Sequence, residues 1–405
     1  MKLLFVLNSG FDTYGPSLHL YKALFEDLLK AGHKVHLLES VSTRKDPVVP
    51  DSLKSNPDFS YELIPLTITD KHHFARRYLA GVQYSFRTIK YLKRTRKDNY
   101  DVVHVQSCPW APFLVSIVKK TLKLPTVFNI QDMFPGSSIA SGVMPKKWMQ
   151  NFFYAFQRIA YSMADVITVI SEDMKERVVA QGVPSEKVKV IVNWYDDSFV
   201  HEIPWEENLF VKKYNMSRDK FYVQYAGTMG FVFDYRMVLD VASRLRKYDD
   251  IVFQMIGFGS QYDQFIAEAK ERGLDNIIFY PLEPQPMVPH VYSACSICFI
   301  PLKRDIIGNS VPSKAGLLMS CRRVIVNSVD EWSDYYKMFE REDMGLSASN
   351  LDPDAVTYCI LKLYNDRKLI EHFANNAQPY GKAYYSRTVN TALYEKLYRE
   401  MGERR

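Results

Sequence analysis

At 405 residues the chain exceeds what one ordinary hydrophobic core organises, about 100–200 residues, so two domains are expected. A hydrophobic fraction of 47% with 24% charged side chains excludes a disordered, collagen-like or disulfide-built chain. The net charge of +6 is modest but uneven, because nine cations and no acid fall in "KHHFARRYLAGVQYSFRTIKYLKRTRK", residues 71–97.

The first element, "KLLFVLN", is a short apolar run ending in turn residues. It is too short for a secretion signal, and no later stretch has the roughly 18 apolar residues of a membrane span. "SLHLYKALFEDLLKAG" has helical spacing and "HKVHLLES" reads as a second strand, which together make a β-α-β unit. "DVVHVQS", "PTVFNI", "DVITVIS" and "VKVIVNW" repeat the theme with helices between them. Continuous Val/Ile/Phe strands between helices imply a parallel sheet covered on both faces.

The alternation pauses over "YDDSFVHEIPWEENLFVKKYNMSRD", where the spacing predicts a linker at 199–218 between an N-terminal domain at 1–198 and a second domain at 219–384. "FYVQYAG", "IVFQMIG", "IIFYPL", "ICFIPL" and "RVIVNS" make a second doubly wound sheet. The terminal helix, 385–405, either closes the second domain or packs back onto the first. Five scattered cysteines suit a reducing compartment, and Cys295 and Cys298 read as core residues, since no second pair completes a zinc site.

Ligands of such sheets sit beyond the carboxyl ends of the strands, so the residues just after each strand are the candidates. After the first strand, "NSGFDTYGPSLHL" offers Gly15, Pro16 and Ser17 at a helix start that can hold a sugar or an anion, or serves as a plain turn. It lacks the G-x-G-x-x-G spacing of a nicotinamide dinucleotide site. Asp132 follows "PTVFNI", where a carboxylate meets a ligand hydroxyl or a cation, or makes an Asx turn before Pro135. In the second domain, Gly227 and Gly230 of "YAGTMG" and Gly257 and Gly259 of "MIGFGS" keep the backbone open for a phosphate-bearing ligand. "NSVPSK", residues Asn309, Ser310, Val311, Pro312, Ser313 and Lys314, opens a short helix. A lysine in a first turn opposes the helix dipole unless it serves a diphosphate together with the helix amides, the alternative being a solvated surface lysine. The pair Asp196–Asp197 reads as a helix or hinge cap rather than a metal site, and no metal or cofactor is called for.

The ordered set "NSGFDTYGPS", "ADVITVIS", "VIVNWYDDSF", "YAGTMG", "MIGFGS" and "NSVPSKAGLLMSCRRVIV" resembles glycosyltransferase family 4 over nearly the whole chain. "SVPSK" and "ADVITVIS…VNWYDD" are similar to bacterial enzymes that build capsule, exopolysaccharide or O-antigen. The resemblance implies the GT-B fold, two Rossmann-like domains facing a cleft. It also implies retaining transfer of a hexosyl or N-acetylhexosaminyl group from a nucleotide sugar, expected to be UDP-linked, to a lipid-linked saccharide. By resemblance Lys314 is the diphosphate lysine, Gly227 and Gly257 are the nucleotide-side turns, and Asp132 is the polar residue near the reacting sugar. The family's two glutamates are replaced by Asn309 and Leu317, which removes the usual acceptor of the ribose hydroxyls.

An epimerase or phosphorylase on the same plan, or a non-catalytic relative, are the alternatives. The expected location is cytoplasmic, peripheral at the inner membrane face. The aromatics and aliphatics of 71–97 recur at three- and four-residue steps, so this segment forms a helix that lies on an anionic membrane or packs its stripe in the core. No nucleic-acid partner is expected.

Overall fold

A computed structural model of the chain describes residues 1–8, 11, 18–42, 49–66, 74–95, 99–140, 142 and 144–403. These divide into two compact units, 1–193 with the C-terminal segment from Asn390, and Trp194–Val389.

The first unit contains β1 (Lys2–Leu7), α1 (Leu18–Lys30), β2 (Lys34–Ser42), α2 (Asp51–Lys54), β3 (Phe59–Leu66), α3 (Phe74–Arg94), β4 (Val102–Gln106), α4 (Ala111–Leu122), β5 (Thr126–Ile130), α5 (Gly136–Ala140), α6 (Lys147–Met163), β6 (Val166–Val169), α7 (Glu172–Val179) and β7 (Val188–Val190). Its strands are all parallel, in the order β3-β2-β1-β4-β5-β6-β7. The central strands β4 and β5 are buried along their whole length, as strands covered on both faces must be.

The second unit contains α8 (Leu209–Lys213), β8 (Phe221–Thr228), α9 (Tyr235–Leu245), β9 (Ile251–Phe258), α10 (Tyr262–Glu271), β10 (Ile277–Tyr280), α11 (Val288–Ser293), β11 (Ile297–Pro301), α12 (Ala315–Ser320), β12 (Ile325–Val329), α13 (Asp334–Arg341), β13 (Gly345–Ser349), α14 (Pro353–Asn365) and α15 (Arg367–Tyr385). Its parallel order is β10-β9-β8-β11-β12-β13, so the winding reverses between β8 and β11. Phe221, Phe233, Phe253, Phe265 and Phe299 fill its core. Asp234, Asp352 and Asp366 cap α9, α14 and α15 by accepting backbone amides, each cap contributing about 1 kcal/mol.

Residues 199–218, expected as a linker, are built into this second unit. Phe210 of α8 is fully buried against Tyr280 and Val291, and Asn208 caps α8. The polar sequence hid a short helix in which two of the three apolar residues, Phe210 and Val211, are buried while Leu209 is exposed.

The last helix, α16 (Arg387–Glu403), returns to the first unit from Asn390 onward. Asn129 Nδ2 donates to the Tyr394 hydroxyl at 2.8 Å, and Tyr398 Oη shares a 2.9 Å hydrogen bond with His104 Nδ1. Asp196 and Asp197 act at the start of this helix: Thr388 N donates to Asp197 Oδ1 at 3.1 Å and Arg387 pairs with Asp196 at 3.3 Å. That is the capping role read from the sequence. Among the described residues no helix is long and apolar enough to cross a membrane.

Candidate active site

The carboxyl ends of β8 and β11 flank the point where the second sheet reverses its winding, which is where open α/β sheets bind ligands. Three segments supply this place: the turn at Gly227 and the loop after it, the parallel turn after β9, and the 302–314 connection that leads into α12.

Gly227 and Gly257 pair directly across β8 and β9, and both have positive φ, +147° and +136°. A Cβ at Gly257 would stand 2.1 Å from the Gly227 carbonyl oxygen, and one at Gly259 would stand 2.3 Å from that of Met229. Two strand ends therefore approach more closely than side chains permit. Backbone bonds close the approach: Met229 N donates to Phe258 O at 2.8 Å, and Gln261 N to Met229 O at 3.0 Å. Gly230 differs from the other three, because a Cβ there meets only Thr228 Cγ2, at 3.6 Å.

Lys314 lies immediately before α12 in αR geometry, one residue ahead of the first turn expected from the sequence. Its side chain reaches to the end of β8, where Nζ donates to Ala226 O at 2.8 Å and stands 3.8 Å from the centroid of the Tyr225 ring. A Cβ at Gly227 would come within 2.4 Å of Nζ, so the glycine makes the room that the ammonium occupies. Tyr225 Oη donates to Thr228 O at 2.9 Å, holding the turn, and Tyr292 Oη donates to the same Ala226 carbonyl at 3.3 Å. The residue as a whole is only half-buried, but the amine end is enclosed. Burial pushes the lysine down to about 7, with nearby Cys298 opposing the shift. Among the described residues this amine has a carbonyl and an aromatic ring for neighbours and no carboxylate paired with it.

Because α12 spans only six residues, it aligns few peptide dipoles. The helix amides expected from the sequence to share in the site are therefore few, and Lys314 with the glycine turn is the more prominent feature here. The residues before it mainly shape the loop. Asn309 is buried, with Nδ2 donating to Asp305 O at 3.0 Å, and Ser310 N donates to Ile306 O at 3.1 Å. Pro312 is buried, Val311 is half-buried and Ser313 is exposed. Leu317, at the position of the family's second glutamate, is half-buried and offers no acceptor.

A second lysine, Lys303, was not singled out in the sequence. Its Nζ donates to Gln261 Oε1 at 2.9 Å, and Gln261 Nε2 donates to Phe233 O at 3.2 Å and to Gly230 O. This bridge ties the ends of β11, β9 and β8 together, and burial lowers the pKa of Lys303. The "PLK" that ends β11 was the available signal.

In the first unit Asp132 is exposed two residues beyond β5. Gly15, Pro16 and Ser17 lie outside the described residues, as do Lys71, Arg96 and Lys97. Cys295 and Cys298 are buried with their sulfurs 3.6 Å apart, and no set of three or more His, Cys, Asp or Glu fit to hold a metal ion occurs among the described residues.

Of the stripe expected on residues 71–97, Leu92 packs inward along with Ala80 and Tyr84, whereas Leu79 and Phe86 are exposed. The helix uses one face for the core and leaves two large apolar side chains on the other.

Comparison with known proteins agrees with this layout. The glycosyl transferase 4-like domain matches residues 21–194, and the glycosyl transferases group 1 domain matches residues 207–379. The chain is 23% identical to the probable glycosyltransferase WbjE of Pseudomonas aeruginosa, over 75% of this chain and 76% of that one. It is 25% identical to the putative colanic acid biosynthesis glycosyl transferase WcaI of Escherichia coli K12, over 47% of each. Among solved structures, sucrose-phosphate synthase from Thermosynechococcus elongatus superposes with a TM-score of 0.76 at 14% identity, covering 100% of both chains. HepE from Anabaena, in complex with UDP, superposes with a TM-score of 0.73 at 14% identity, covering 98% of this chain and 99% of its own. The two matched domains, the two parallel sheets and the relatives together identify the chain as a member of the GT4-like glycosyltransferases of GT-B fold, related to enzymes of bacterial polysaccharide biosynthesis.

Proposed function

We propose that this glycosyltransferase takes its sugar from a nucleoside diphosphate donor, with uridine as the nucleotide, and transfers it with retention to a lipid-linked saccharide during synthesis of a cell-surface polysaccharide. The observation that carries the donor reading is the enclosed Lys314 ammonium seated on the Gly227 turn at the reversal of the second sheet. A diphosphate supplies the counter-charge this amine lacks. Stabilising the departing diphosphate is catalysis by fixed charge, and it needs no nucleophile from the protein. HepE's complexes with UDP and with UDP-glucose support the choice of donor class. WcaI's naming in colanic acid biosynthesis supports the class of product.

Gly227, Gly257 and Gly259 form the donor turn, the 309–313 segment presents Lys314, and Asp132 acts on the acceptor side together with residues 15–17. A lipid-linked acceptor calls for work at a membrane surface on the cytoplasmic face, and α3 offers a contact for it. Arg76, Leu79, Gln83, Phe86, Lys90 and Lys93 recur at three- and four-residue steps along its exposed face.

Calorimetric titration tests the donor reading. UDP should bind at least about tenfold more tightly than UMP, since a charge-assisted bond to the second phosphate contributes roughly 1.5–3 kcal/mol, and Lys314→Ala should remove the difference. Equal affinities for UDP and UMP in the unmodified enzyme would overturn it. Transfer of labelled sugar from UDP-sugars into a lipid-extractable fraction, with the anomeric configuration read by NMR, tests the acceptor and the retention. Conversion of the donor alone, without acceptor, would instead favour an epimerase.

A further inference from the structure

We propose that α6 carries a second, apolar membrane contact, in which Trp148, Phe152, Ala155 and Ile159 enter the boundary between headgroups and acyl chains of an anionic bilayer. The inference rests on the lipid-linked acceptor reading and adds to it the element that holds the enzyme at the lipid.

α6 is apolar on two faces. Phe153, Ala160 and Tyr161 are buried toward the unit's interior. Trp148, Phe152, Ala155 and Ile159 recur at steps of four, three and four, and all are exposed, Trp148 by 68% and Phe152 by 55%. A helix that only packs on a sheet keeps polar residues on its outer face, whereas this one sets a tryptophan at one end of an apolar ridge.

Charge identifies what covers the ridge. α3, α4 and α6 pack in sequence, α4 touching both of the others. Tyr78 of α3 meets Phe153 of α6 edge to face, with ring centroids 5.4 Å apart, so the two helices that expose Leu79 and Phe152 pack directly on each other. Across their 50 residues these three helices hold ten lysines and arginines and no aspartate or glutamate. In the whole chain 46 of 405 residues are acidic, about one in nine. Lys146 and Lys147 are exposed at the tryptophan end of the ridge, and Arg158 is exposed beside Ile159. An apolar ridge flanked by cations, on helices that carry no acid of their own and with, among the described residues, only Lys119 of α4 paired to a neighbouring carboxylate, Asp165, fits the interface of an anionic membrane. A second copy of the chain fits less well, because it would set this cationic surface against itself.

The test is co-sedimentation of the full chain with phosphatidylcholine vesicles, with and without about 30% phosphatidylglycerol, across a salt series. Trp148→Ser with Phe152→Ser should lower partitioning at least about tenfold at every salt concentration, leaving UDP affinity unchanged and lowering the thermal midpoint only slightly, because both side chains are more than half exposed. Arg87→Gln, Lys90→Gln, Lys93→Gln and Arg94→Gln together should remove the salt-sensitive part and leave an apolar remainder that the first pair abolishes. Unchanged partitioning of the double variant overturns the proposal, as does absence of binding to anionic vesicles. A Trp148-dependent dimer in sedimentation velocity, without vesicle binding, overturns it in favour of self-association. Transfer assayed in parallel separates the two readings. Activity on a detergent-dispersed lipid-linked acceptor without vesicle binding refutes only the contact, and vesicle binding without transfer from any nucleotide sugar refutes only the function.

Discussion

The two units share one winding, 3-2-1-4-5-6 in their own strand order with a seventh strand added at the end of the first, yet their unusual residues gather in different places. In the second unit they are at the strand ends, with Gly227 and Gly257 at positive φ and a lysine enclosed beside them. In the first they are on the outside, where α3 exposes Leu79 by 61% and Phe86 by 59%, and α6 exposes Trp148 and Phe152. A doubly wound sheet leaves both the strand ends and the outer helix faces free to vary without disturbing the core. On the proposed reading the contrast is a division of labour, donor chemistry in one unit and lipid contact in the other, and substitutions in each should leave the other's readout alone.

The largest effect should come from Lys314→Ala. Removing one charge-assisted contact to the departing diphosphate costs about 2–4 kcal/mol, so kcat/KM should fall about 30- to 1000-fold with vesicle binding unchanged. Steady-state kinetics on a folded variant checks this, and a change of only a few-fold would remove the lysine from the mechanism. Gly227→Ala should act through the same atom. The new methyl group and Nζ cannot both stay where a Cβ would lie 2.4 Å from the amine, and a non-glycine residue at φ +147° is strained by about 1–3 kcal/mol. Donor affinity should drop at least about tenfold and the thermal midpoint should fall too. If calorimetry finds donor affinity unchanged, the ammonium does not sit on this turn when the donor is bound.

Most of this contrast was legible in the sequence where apolar runs were continuous. β4, β5, β11 and β12 are short apolar segments bounded by turn residues, and burial on both faces makes them so. The edge strands β3 and β13 were not recognised. "FSYELIPL" leaves several positions exposed and contains a proline, and "GLSAS" is built of small and polar residues, because an edge strand is covered less and needs fewer apolar side chains. Lys314 was legible from "SVPSK", but its reach to Ala226 and Tyr225 was not, since that contact joins positions 88 residues apart. The α6 ridge was missed because a helix apolar on two faces resembles a well-buried one. The absence of acids over α3, α4 and α6 was the signal that could have revealed it.

The depressed lysine pKa makes the comparison testable by pH. In the free enzyme Lys314 titrates at about 7, well below ordinary lysine, and a bound diphosphate favours the charged form. Binding therefore takes up a proton whenever the free amine is neutral. Above pH 7 the dissociation constant of UDP should rise by up to about tenfold per pH unit, until the amine's pKa in the complex is reached. The phosphate itself adds little there, because its second ionisation, near pH 6, is already complete. Titrations at pH 8 in two buffers of different ionisation enthalpy should show the uptake, and Lys314→Met should abolish it.

Asp132→Asn asks whether the first unit also takes part in chemistry. The change keeps the size of an exposed side chain just beyond β5 and removes its charge, so folding and UDP affinity should be unaffected while the rate at saturating donor falls, by about tenfold if the carboxylate orients the acceptor. Single-turnover kinetics with saturating donor separates the two. A fall in donor affinity with an unchanged rate would move Asp132 out of its acceptor-side role.

The smallest effect is expected at Gly230, and it sharpens the contrast from within the second unit. Gly230 stands at a glycine-rich strand end just as Gly227, Gly257 and Gly259 do, yet its surroundings differ from theirs. An alanine methyl at 230 meets only Thr228 Cγ2 at 3.6 Å, an ordinary contact, and the backbone there is not in the positive-φ region that glycine alone tolerates well. The carbonyl of Gly230 accepts from Gln261, and a backbone acceptor survives substitution. Gly230→Ala should therefore bind UDP within about twofold of the unmodified enzyme and match or slightly raise its thermal midpoint, since alanine leaves less entropy in the unfolded chain. Gly257→Ala, whose methyl would press on the Gly227 carbonyl, should lose both donor binding and stability. Isothermal titration and thermal denaturation of the two variants side by side decide the matter. If both behave alike, the close approach of β8 and β9 is not what shapes the donor site, and the assignment of function to these strand ends fails with it.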